Sequence, residues 1–411
     1  MRETITRYKL SSSLASDPPA EHSPELAESG SLADQDEGSS PLLSFFIPRL
    51  GQGGAEQVAI NLVNGLSARG YNVELLVTQT DGGLHSQLSS DVNVVTLPPS
   101  KSPVLGVAMN FPALVDYLRR KEPALLLSHL SRANVISIAA CRLIDADTVV
   151  AATHHDAFGT GTENGLKDRA LKRLVPLLYP SADRIIAVSE GVADSIVERT
   201  KVKRDNVSVL HNPIEIDAIR EQARRDVEDE WITDDDLDVV LYVGRHTEQK
   251  DLKTWLRAFE RVQAQNPDTR AIIAGKGPKR EEIQSYSERL GLADVVSIPG
   301  YVENAYGYMH EADVFLLSSR YEGLPSVLIE ALACGCPVVA TDCPSGPKEI
   351  LDDGKYGCLR PVGDANGLAE AVLETLNQST PRDELMSRAD GFATGAVLDR
   401  YEQFLEEYVL S

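Results

Sequence analysis

The sequence has no long hydrophobic run and only five cysteines among its 411 residues. A membrane-spanning helix needs roughly 18 consecutive apolar residues, and no run reaches that length. The first twenty residues also lack the apolar segment of a secretory signal. Most of the cysteines lie in apolar stretches, which is typical of buried thiols in a reducing compartment. We therefore predict a cytoplasmic protein that is at most peripheral on the membrane.

The sequence also lacks a recognisable set of metal ligands. Cys334 and Cys336 are separated by a single glycine, which is not the spacing of a zinc site, and no paired histidines accompany them. The acidic clusters at 34–36 and 234–236 fall in polar stretches that we interpret as flexible. We expect neither a metal ion nor a cofactor.

Basic residues are scarce. Against 62 acidic side chains stand 40 basic ones, of which only 13 are lysine, and the net charge is −22. A chain of this charge is repelled by nucleic acid unless a local basic patch overrides the total, so we expect no nucleic-acid partner. Its negative surface repels itself in dilute buffer and is screened in concentrated salt. The composition therefore predicts a halophile-like acidic surface.

Apolar strand patterns alternate with helical ones in two stretches of the chain, which predicts an α/β protein with parallel sheets. Ligands of such sheets bind beyond the carboxyl ends of the strands, so we expect a site in the cleft between two domains. The predicted parts are a disordered acidic tail (1–41), a first domain (42–215), an acid-rich connection (216–237), a second domain (238–378) and a helical end (379–411).

Two glycine turns follow predicted strands. Gly53 and Gly54 precede a helix, where backbone N–H groups can approach a phosphate closely, although a simple tight turn explains them equally well. Gly275 lies in a similar turn that lacks the spacing of a dinucleotide fingerprint, and it also fits a turn without a ligand. Alone, these glycines indicate only strand-to-helix connections.

A basic loop follows the first strand of the second domain. Arg245 and Lys250 both lie on it, at the edge of the sheet where ligands bind. Two cations there can form charge-assisted hydrogen bonds to a diphosphate. The alternative is an ordinary solvated loop, which the acidic background of this protein disfavours.

Two glutamates flank the start of a predicted helix. Pro325 suits the first turn of this helix and Gly335 its end, so Glu322 lies before the helix and Glu330 lies inside it. Glu330 falls in an apolar run, and a buried carboxylate is costly without a hydroxyl or cation to bind. Both carboxylates can address a ligand at the helix N-terminus, where the dipole favours a pyrophosphate.

These motifs resemble those of the retaining glycosyltransferases of family 4, which have the GT-B fold. The most specific match is that of Glu322 and Glu330 to the family's two glutamates, which are separated by seven intervening residues. The resemblance spans roughly residues 43–375 and implies two Rossmann-like βαβ domains that face each other across a central cleft. Other matching segments are 53–56, 188–192, 212–213, 244–250 and 344–350.

The resemblance also implies roles for single residues. Arg245 and Lys250 are expected to neutralise the donor diphosphate, with Glu322 on the transferred sugar and Glu330 on the ribose. The family's first-domain histidine falls at 154–155, where we prefer His154 while His155 stays open. The expected catalytic residues are Glu322, His154, Arg245 and Lys250, and the remaining donor-binding residues are Gly53, Gly54, Gly275, Tyr301, Val302, Gly323, Leu324, Pro325 and Glu330.

By the same resemblance, the protein transfers a hexose or N-acetylhexosamine from a nucleotide-sugar, with retention and without a metal. We expect a UDP-sugar, with GDP-mannose as an alternative, and a glycan or lipid-linked acceptor. A basic cluster at 167–173, followed by an apolar run, suits an anionic membrane surface or an ordinary solvated helix face. The competing functions are a nucleotide-sugar epimerase of the same fold and a non-catalytic nucleotide-sugar-binding protein.

Overall fold

The computed structural model describes residues 40–51, 53–79, 83–98, 106–156, 166–378 and 380–410. The predicted acidic tail lies outside these residues, apart from its last two positions. Regular structure begins at Leu42, in the apolar run that the sequence analysis identified as the first strand.

The first sheet has seven parallel strands, and its near-continuous apolar runs are those of strands buried on both faces. The strand order is β3-β2-β1-β4-β5-β6-β7, so the chain reverses direction across the sheet between β1 and β4. We call this sheet with α1–α5 the N-lobe. Its strands are β1 (Leu42–Phe46), β2 (Asn72–Val77), β3 (Asn93–Thr96), β4 (Leu125–His129), β5 (Val149–His154), β6 (Arg184–Ala187) and β7 (Val207–Val209), and its helices are α1 (Gly54–Ala68), α2 (Gly106–Lys121), α3 (Ser131–Ile144), α4 (Leu166–Leu178) and α5 (Glu190–Arg199).

The second sheet has six parallel strands in the order β10-β9-β8-β11-β12-β13, again with a reversal beside its first strand. We call this sheet with α6–α12 the C-lobe. Its strands are β8 (Asp238–Val243), β9 (Thr269–Ala274), β10 (Val296–Gly300), β11 (Val314–Leu317), β12 (Val338–Thr341) and β13 (Cys358–Arg360), and its helices are α6 (Ile216–Ala223), α7 (Leu252–Gln265), α8 (Arg280–Arg289), α9 (Ala305–Glu311), α10 (Ser326–Ala333), α11 (Pro347–Ile350) and α12 (Ala365–Leu376).

Both lobes therefore have the doubly wound topology that places ligands at the reversal point, beyond the carboxyl ends of the strands. The predicted pair of Rossmann-like α/β units is confirmed. In the acid-rich connection, α6 buries Ile216, Ile219 and Ala223 against α9 and α10, so this segment packs as part of the C-lobe.

The C-terminal segment forms two helices that pack on different lobes. Helix α13 (Arg382–Asp390) packs against α10, whereas α14 (Thr394–Tyr408) crosses back to the N-lobe. Leu398 of α14 touches Gly65 of α1 so closely that a Cβ there would lie 2.5 Å from its methyl group. Arg69 of α1 pairs with Asp399 at 2.8 Å and with Glu402 at 2.5 Å. The end of the chain thus completes the N-lobe core.

The cysteines have the environment that the sequence predicts. All five are free thiols, and only Cys358 is not buried. Burial raises the pKa of the Cys141 and Cys334 thiols to about 12, so both stay protonated at neutral pH. They act as small apolar side chains in the core.

Candidate active site

The loop between β11 and α10 holds the two predicted glutamates. Pro325 immediately precedes the first helical residue, and Gly335 takes the left-handed conformation, with φ +74°, that ends the helix. Glu322 accordingly lies in the loop before α10, and Glu330 lies one turn inside it, as predicted. This loop leaves β11 at the carboxyl edge of the C-lobe sheet, the expected edge for a ligand.

Glu322 forms a buried ion pair with Lys250. Only 5% of Glu322 is exposed, and its Oε1 lies 2.5 Å from Lys250 Nζ. Gln249 donates a second hydrogen bond, at 3.3 Å, to Oε2. The structure therefore brings together two residues that are 72 positions apart in the sequence and that were predicted to contact different parts of the donor.

Two residues around Glu322 were not predicted as site residues. Gln249 also donates to the Tyr321 carbonyl at 2.9 Å, and Ser345 Oγ donates to the Glu322 carbonyl at 2.6 Å. These bonds hold the backbone and the carboxylate of Glu322 from two sides. The position of Gln249 directly before Lys250 is the one feature that could have identified it.

Arg245 is exposed at the carboxyl end of β8, and its guanidinium has no ion-pair partner within the part of the chain that the structure describes. Its carbonyl accepts a hydrogen bond from the Tyr242 hydroxyl at 3.1 Å, which holds the loop backbone. In a protein with 22 more acids than bases, an exposed arginine without an ion-pair partner among the described residues is a local attraction for an anion.

Gly275 brings three loops of the C-lobe together. Its φ is +124°, and a Cβ would lie 1.9 Å from the Gly244 carbonyl oxygen, so no other residue fits between the β8 and β9 loops. Its N–H donates to the Gly300 carbonyl at 2.6 Å, which joins the loop that carries Tyr301. The described contacts of Gly275 are with Gly244 and Gly300, so its conformation is explained by loop packing.

Glu330 is partly exposed, but the surrounding protein desolvates its carboxylate and raises its pKa. The Ser326 hydroxyl one turn earlier and the charge of Lys250 oppose this shift. Lys250 thus pairs directly with Glu322, and its charge also favours the ionised form of Glu330.

Tyr301 offers an exposed aromatic face at the end of β10. Its side chain is 68% exposed, and Lys276 Nζ lies 5.2 Å from the ring centre in a cation–π contact. Val302 beside it is half-buried. An exposed aromatic ring next to an apolar side chain suits a flat, partly apolar ligand.

On the N-lobe, the two candidate histidines have different surroundings. His154 is 9% exposed, and its Nδ1 lies 3.2 Å from the Tyr179 hydroxyl. His155 keeps more exposed surface, and its Nε2 lies 3.1 Å from His129 Nδ1. A Cβ at Gly323 would lie 1.8 Å from the His155 carbonyl oxygen, so His155 directly adjoins the Glu322 loop. The contact with the C-lobe is therefore made by the His155 backbone, whereas both imidazole rings lie against N-lobe side chains, so the preference for His154 stays a prediction.

The glycine turn before α1 also lies at a carboxyl edge, that of β1. Gly53 immediately precedes the first helical residue, Gly54, and a Cβ at Gly53 would lie 2.3 Å from Glu56 Oε2. The carboxylate of Glu56 thus folds over the turn and interacts with the positive end of the helix dipole. A phosphate bound at this turn would have to displace it.

The lobes touch at the Glu322 loop. Ser189 Oγ donates to the Gly323 carbonyl at 2.9 Å. Gly191 packs against Ser345, where a Cβ would approach the serine Cβ to 2.6 Å. A larger residue at Gly191 would therefore push the lobes apart beside Glu322.

His129 gives a pH-dependent contribution to stability. It is fully buried, and burial lowers its pKa to about 3 from 6.5. Between these values the unfolded chain binds a proton and the folded protein does not, so the free energy of unfolding falls as the pH falls from about 6.5. The expected slope is about 1.4 kcal/mol per pH unit for this residue. We expect urea unfolding of His129→Asn between pH 6.5 and 4 to show a slope smaller by that amount.

The matched control is His85→Asn, because His85 is exposed on the N-lobe surface. This variant should keep the pH dependence of the unmodified protein. An unchanged slope in His129→Asn would mean that His129 is protonated in the folded state, contrary to its buried environment.

Within the described residues, no helix combines the length and apolar character needed to cross a membrane. The same part of the chain holds no cluster of three or more histidine, cysteine, aspartate or glutamate side chains arranged to hold a metal ion.

The C-lobe and N-lobe each match a protein-family model. Residues 224–391 match the model described as "Glycosyl transferases group 1", and residues 52–218 match "Glycosyltransferase Family 4". The two matches together cover most of the chain. The chain is also similar to solved structures of this fold, including the Anabaena protein HepE in complex with UDP, with a TM-score of 0.72 at 19% identity over 89% of this chain and 100% of that one.

Two similar proteins come from Campylobacter jejuni. The first, N-acetylgalactosamine-N,N'-diacetylbacillosaminyl-diphospho-undecaprenol 4-alpha-N-acetylgalactosaminyltransferase, is 28% identical over 84% of this chain and 93% of its own length. The second, an alpha-1,4-N-acetyl-D-galactosaminyltransferase that acts on GalNAc-alpha-(1->4)-GalNAc-alpha-(1->3)-diNAcBac-PP-undecaprenol, is 27% identical over 84% of this chain and 92% of its length. From the two family matches, the doubly wound lobes and the glutamate pair at α10, the chain belongs to the group 1, family 4 glycosyltransferases, which have the GT-B fold.

Proposed function

We propose that this protein is a retaining, metal-independent glycosyltransferase that moves a hexose or N-acetylhexosamine from a UDP-sugar to a glycan or lipid-linked acceptor. The observation that carries the proposal is the buried ion pair of Lys250 and Glu322, at the sheet edge where Arg245 is exposed and has no ion-pair partner among the described residues. The charge of Lys250 also acts on Glu330. This arrangement combines cations for a diphosphate with carboxylates for sugar hydroxyls.

Arg245 and Lys250 supply the positive charge that a metal ion supplies in other transferases. As the sugar leaves, negative charge builds up on the nucleotide diphosphate, and Arg245, Lys250 and the N-terminus of α10 stabilise it. When the diphosphate engages Lys250, the carboxylate of Glu322 is freed to accept hydrogen bonds from the transferred sugar. The two events are coupled in this proposal because Lys250, which pairs with Glu322 in the structure, would also bind the diphosphate.

The other donor contacts follow from the same geometry. Glu330 accepts hydrogen bonds from the ribose hydroxyls, which compensate for its desolvation. Tyr301 and Val302 frame the base, and one of the two neighbouring histidines, His154 or His155, contacts the sugar from the N-lobe. Leu324 and Pro325 are buried in the loop before α10. Together with Gly323 they form the stretch of backbone that lies beside the sugar in this proposal.

Retention is proposed to occur by attack on the face from which the diphosphate leaves. The bond between the anomeric carbon and the phosphate oxygen breaks, and the acceptor oxygen bonds to the anomeric carbon on the same face. The acceptor hydroxyl proton passes to the departing phosphate oxygen. Glu322 is held by Lys250 and Gln249, which supports a binding role over that of a nucleophile.

The donor and acceptor are inferred from the similar proteins. The Campylobacter relatives are named as N-acetylgalactosaminyltransferases of diphospho-undecaprenol-linked glycans, and the Anabaena structures hold UDP and UDP-glucose. A UDP-N-acetylhexosamine and a lipid-linked glycan are therefore the first substrates to test.

Helix α4 supports a peripheral contact with the membrane that carries such an acceptor. Arg173 is exposed, and Leu174 and Leu177 are 43% and 72% exposed on the same helix. Exposed leucines beside a cation suit the interface of an anionic bilayer. The side chains of the other predicted basic residues (Lys167, Arg169 and Lys172) lie outside the described part of the structure.

The deciding experiment incubates the protein with UDP-hexoses, UDP-N-acetylhexosamines and GDP-mannose in concentrated salt with EDTA. We expect nucleotide release from one UDP-sugar only when a lipid-linked acceptor is added, with the product keeping the anomeric configuration. Acceptor in anionic vesicles should react faster than acceptor in neutral vesicles. Release without acceptor would favour the epimerase, and binding without release would favour a binding protein.

A further inference from the structure

Three distant parts of the chain meet at His211, outside the donor site. His211 follows β7 in the N-lobe, Glu349 lies on α11 in the C-lobe, and Arg400 lies on α14. Glu349 Oε1 is 2.6 Å from His211 Nε2, and Arg400 Nη1 is 2.8 Å from His211 Nδ1. The His211 and Glu349 side chains are only 17% and 21% exposed.

The hydrogen-bonding chemistry determines the form of His211. A guanidinium can only donate, so Nδ1 must accept the hydrogen bond from Arg400. Nε2 therefore carries the ring proton and donates it to the Glu349 carboxylate. His211 is thus a neutral bridge between a cation and an anion, and a second ring proton would face the N–H group of Arg400.

Glu349 is held on both oxygens by the N-lobe. Its Oε2 accepts a hydrogen bond at 2.8 Å from the backbone N–H of Glu190, the first residue of α5. Within the C-lobe side, Arg388 donates to the Glu349 carbonyl at 2.6 Å. The carboxylate is therefore aimed across the boundary between the lobes, at a helix N-terminus that favours negative charge.

The N-terminus of α5 also contacts the Glu322 loop. Ser189, directly before Glu190, donates through Oγ to the Gly323 carbonyl at 2.9 Å and accepts from Val192 N at 3.3 Å as the cap of α5. Gly323 follows Glu322 in the chain. A shift of α5 away from Glu349 would consequently also disturb the backbone next to Glu322.

The bridge lies beside the two chain crossings between the lobes. Ile214 N donates to the Phe392 carbonyl at 3.1 Å, and Thr394 N donates to the Ile214 carbonyl at 3.0 Å, so the crossings run in parallel. His211 lies three residues before one crossing, and Arg400 lies on the helix that follows the other. The two crossings are the segments about which the lobes could rotate. A hydrogen-bonded bridge beside them is therefore placed to restrain that rotation.

We propose that Glu349, His211 and Arg400 are positioning residues that lock the lobes in the arrangement in which transfer takes place. The proposal rests on the proposed transferase function, but the three residues lie outside the donor contacts assigned above. Their effect should therefore appear in turnover and in lobe closure, while affinity for the nucleotide stays the same.

The test compares Glu349→Gln, His211→Gln and Arg400→Gln with the control Glu370→Gln, an exposed glutamate of α12. We expect kcat to fall about tenfold in the three variants, with donor KM and UDP affinity within about twofold of the unmodified enzyme. The double variant Glu349→Gln with His211→Gln should lose no more than either single one, because the first change already opens the bridge. Arg400→Lys keeps a donor for Nδ1 and should recover most of the turnover.

Small-angle X-ray scattering of the free proteins tests the lock without any turnover. We expect a larger radius of gyration for the three variants and an unchanged one for Glu370→Gln and Arg400→Lys, with thermal melting confirming that each is folded. Unchanged scattering and kcat, or additive losses in the double variant, would overturn the proposal. If the unmodified protein transferred no sugar, the proposed function would fail while the scattering still reported on the lock.

Discussion

Replacing Lys250 with methionine is expected to lower kcat by at least about a hundredfold and to destabilise the fold. The activity falls because the leaving diphosphate loses a cation. The stability falls because Glu322, only 5% exposed, is left as a buried charge without its partner. Breaking a buried pair in this way costs about 3–5 kcal/mol. Steady-state kinetics and urea unfolding measure the two effects separately.

A double variant separates the structural role of Lys250 from its catalytic role. Lys250→Met combined with Glu322→Gln removes both charges, so most of the lost stability should return. Activity should stay at the low level of the single variant, because neither the diphosphate cation nor the sugar-binding carboxylate is restored. Recovery of both stability and turnover in the double variant would show that the pair is only structural.

Arg245→Ala is expected to weaken UDP binding about 10- to 100-fold and to reduce kcat/KM for the donor by at least as much. Its guanidinium is exposed and has no ion-pair partner among the described residues, so the fold should lose no more than about 0.5 kcal/mol. Uridine carries no phosphate, and its affinity should stay unchanged. Calorimetric titrations with UDP and with uridine distinguish a diphosphate contact from a general effect on the site.

The matched control for Arg245 is Arg119→Ala, which removes another exposed arginine, on α2 of the N-lobe. Both variants change the net charge of this acidic protein equally, so a difference between them reports on the position of Arg245. Equal UDP affinities in the two variants would contradict a diphosphate contact. A parallel loss of UDP and uridine binding in Arg245→Ala would instead indicate a disturbed loop.

The α10 region could be predicted closely because its signals are local. Pro325 and Gly335 mark the helix ends through their own backbone preferences, which act whatever the rest of the fold does. Glu322, Glu330 and Arg245 could be assigned to one edge because parallel strands all end on the same side of a sheet. Helix boundaries and strand ends therefore predicted where the site lies, whereas the role of each residue was implied by the family resemblance.

The choice between His154 and His155 could not be made from the sequence. Neighbouring residues at the end of a strand point to opposite faces, and which face meets the other lobe depends on how the lobes pack. The structure places the His154 ring against Tyr179 and the His155 ring against His129, both in the N-lobe, and only the His155 backbone meets Gly323 of the C-lobe. Only the contact between the lobes separates the two.

Local sequence patterns predict the α/β class, the two strand-and-helix alternations, the glutamate pair around the start of α10 and the basic loop after β8. These features depend on residue preferences and periodicity over short stretches of chain. Three features appear only in the folded protein: the pairing of Lys250 with Glu322, the return of α14 to the N-lobe, and the bridge from Glu349 through His211 to Arg400. These contacts join residues 72 to 333 positions apart, and such contacts depend on the packing of whole lobes, which no local pattern encodes.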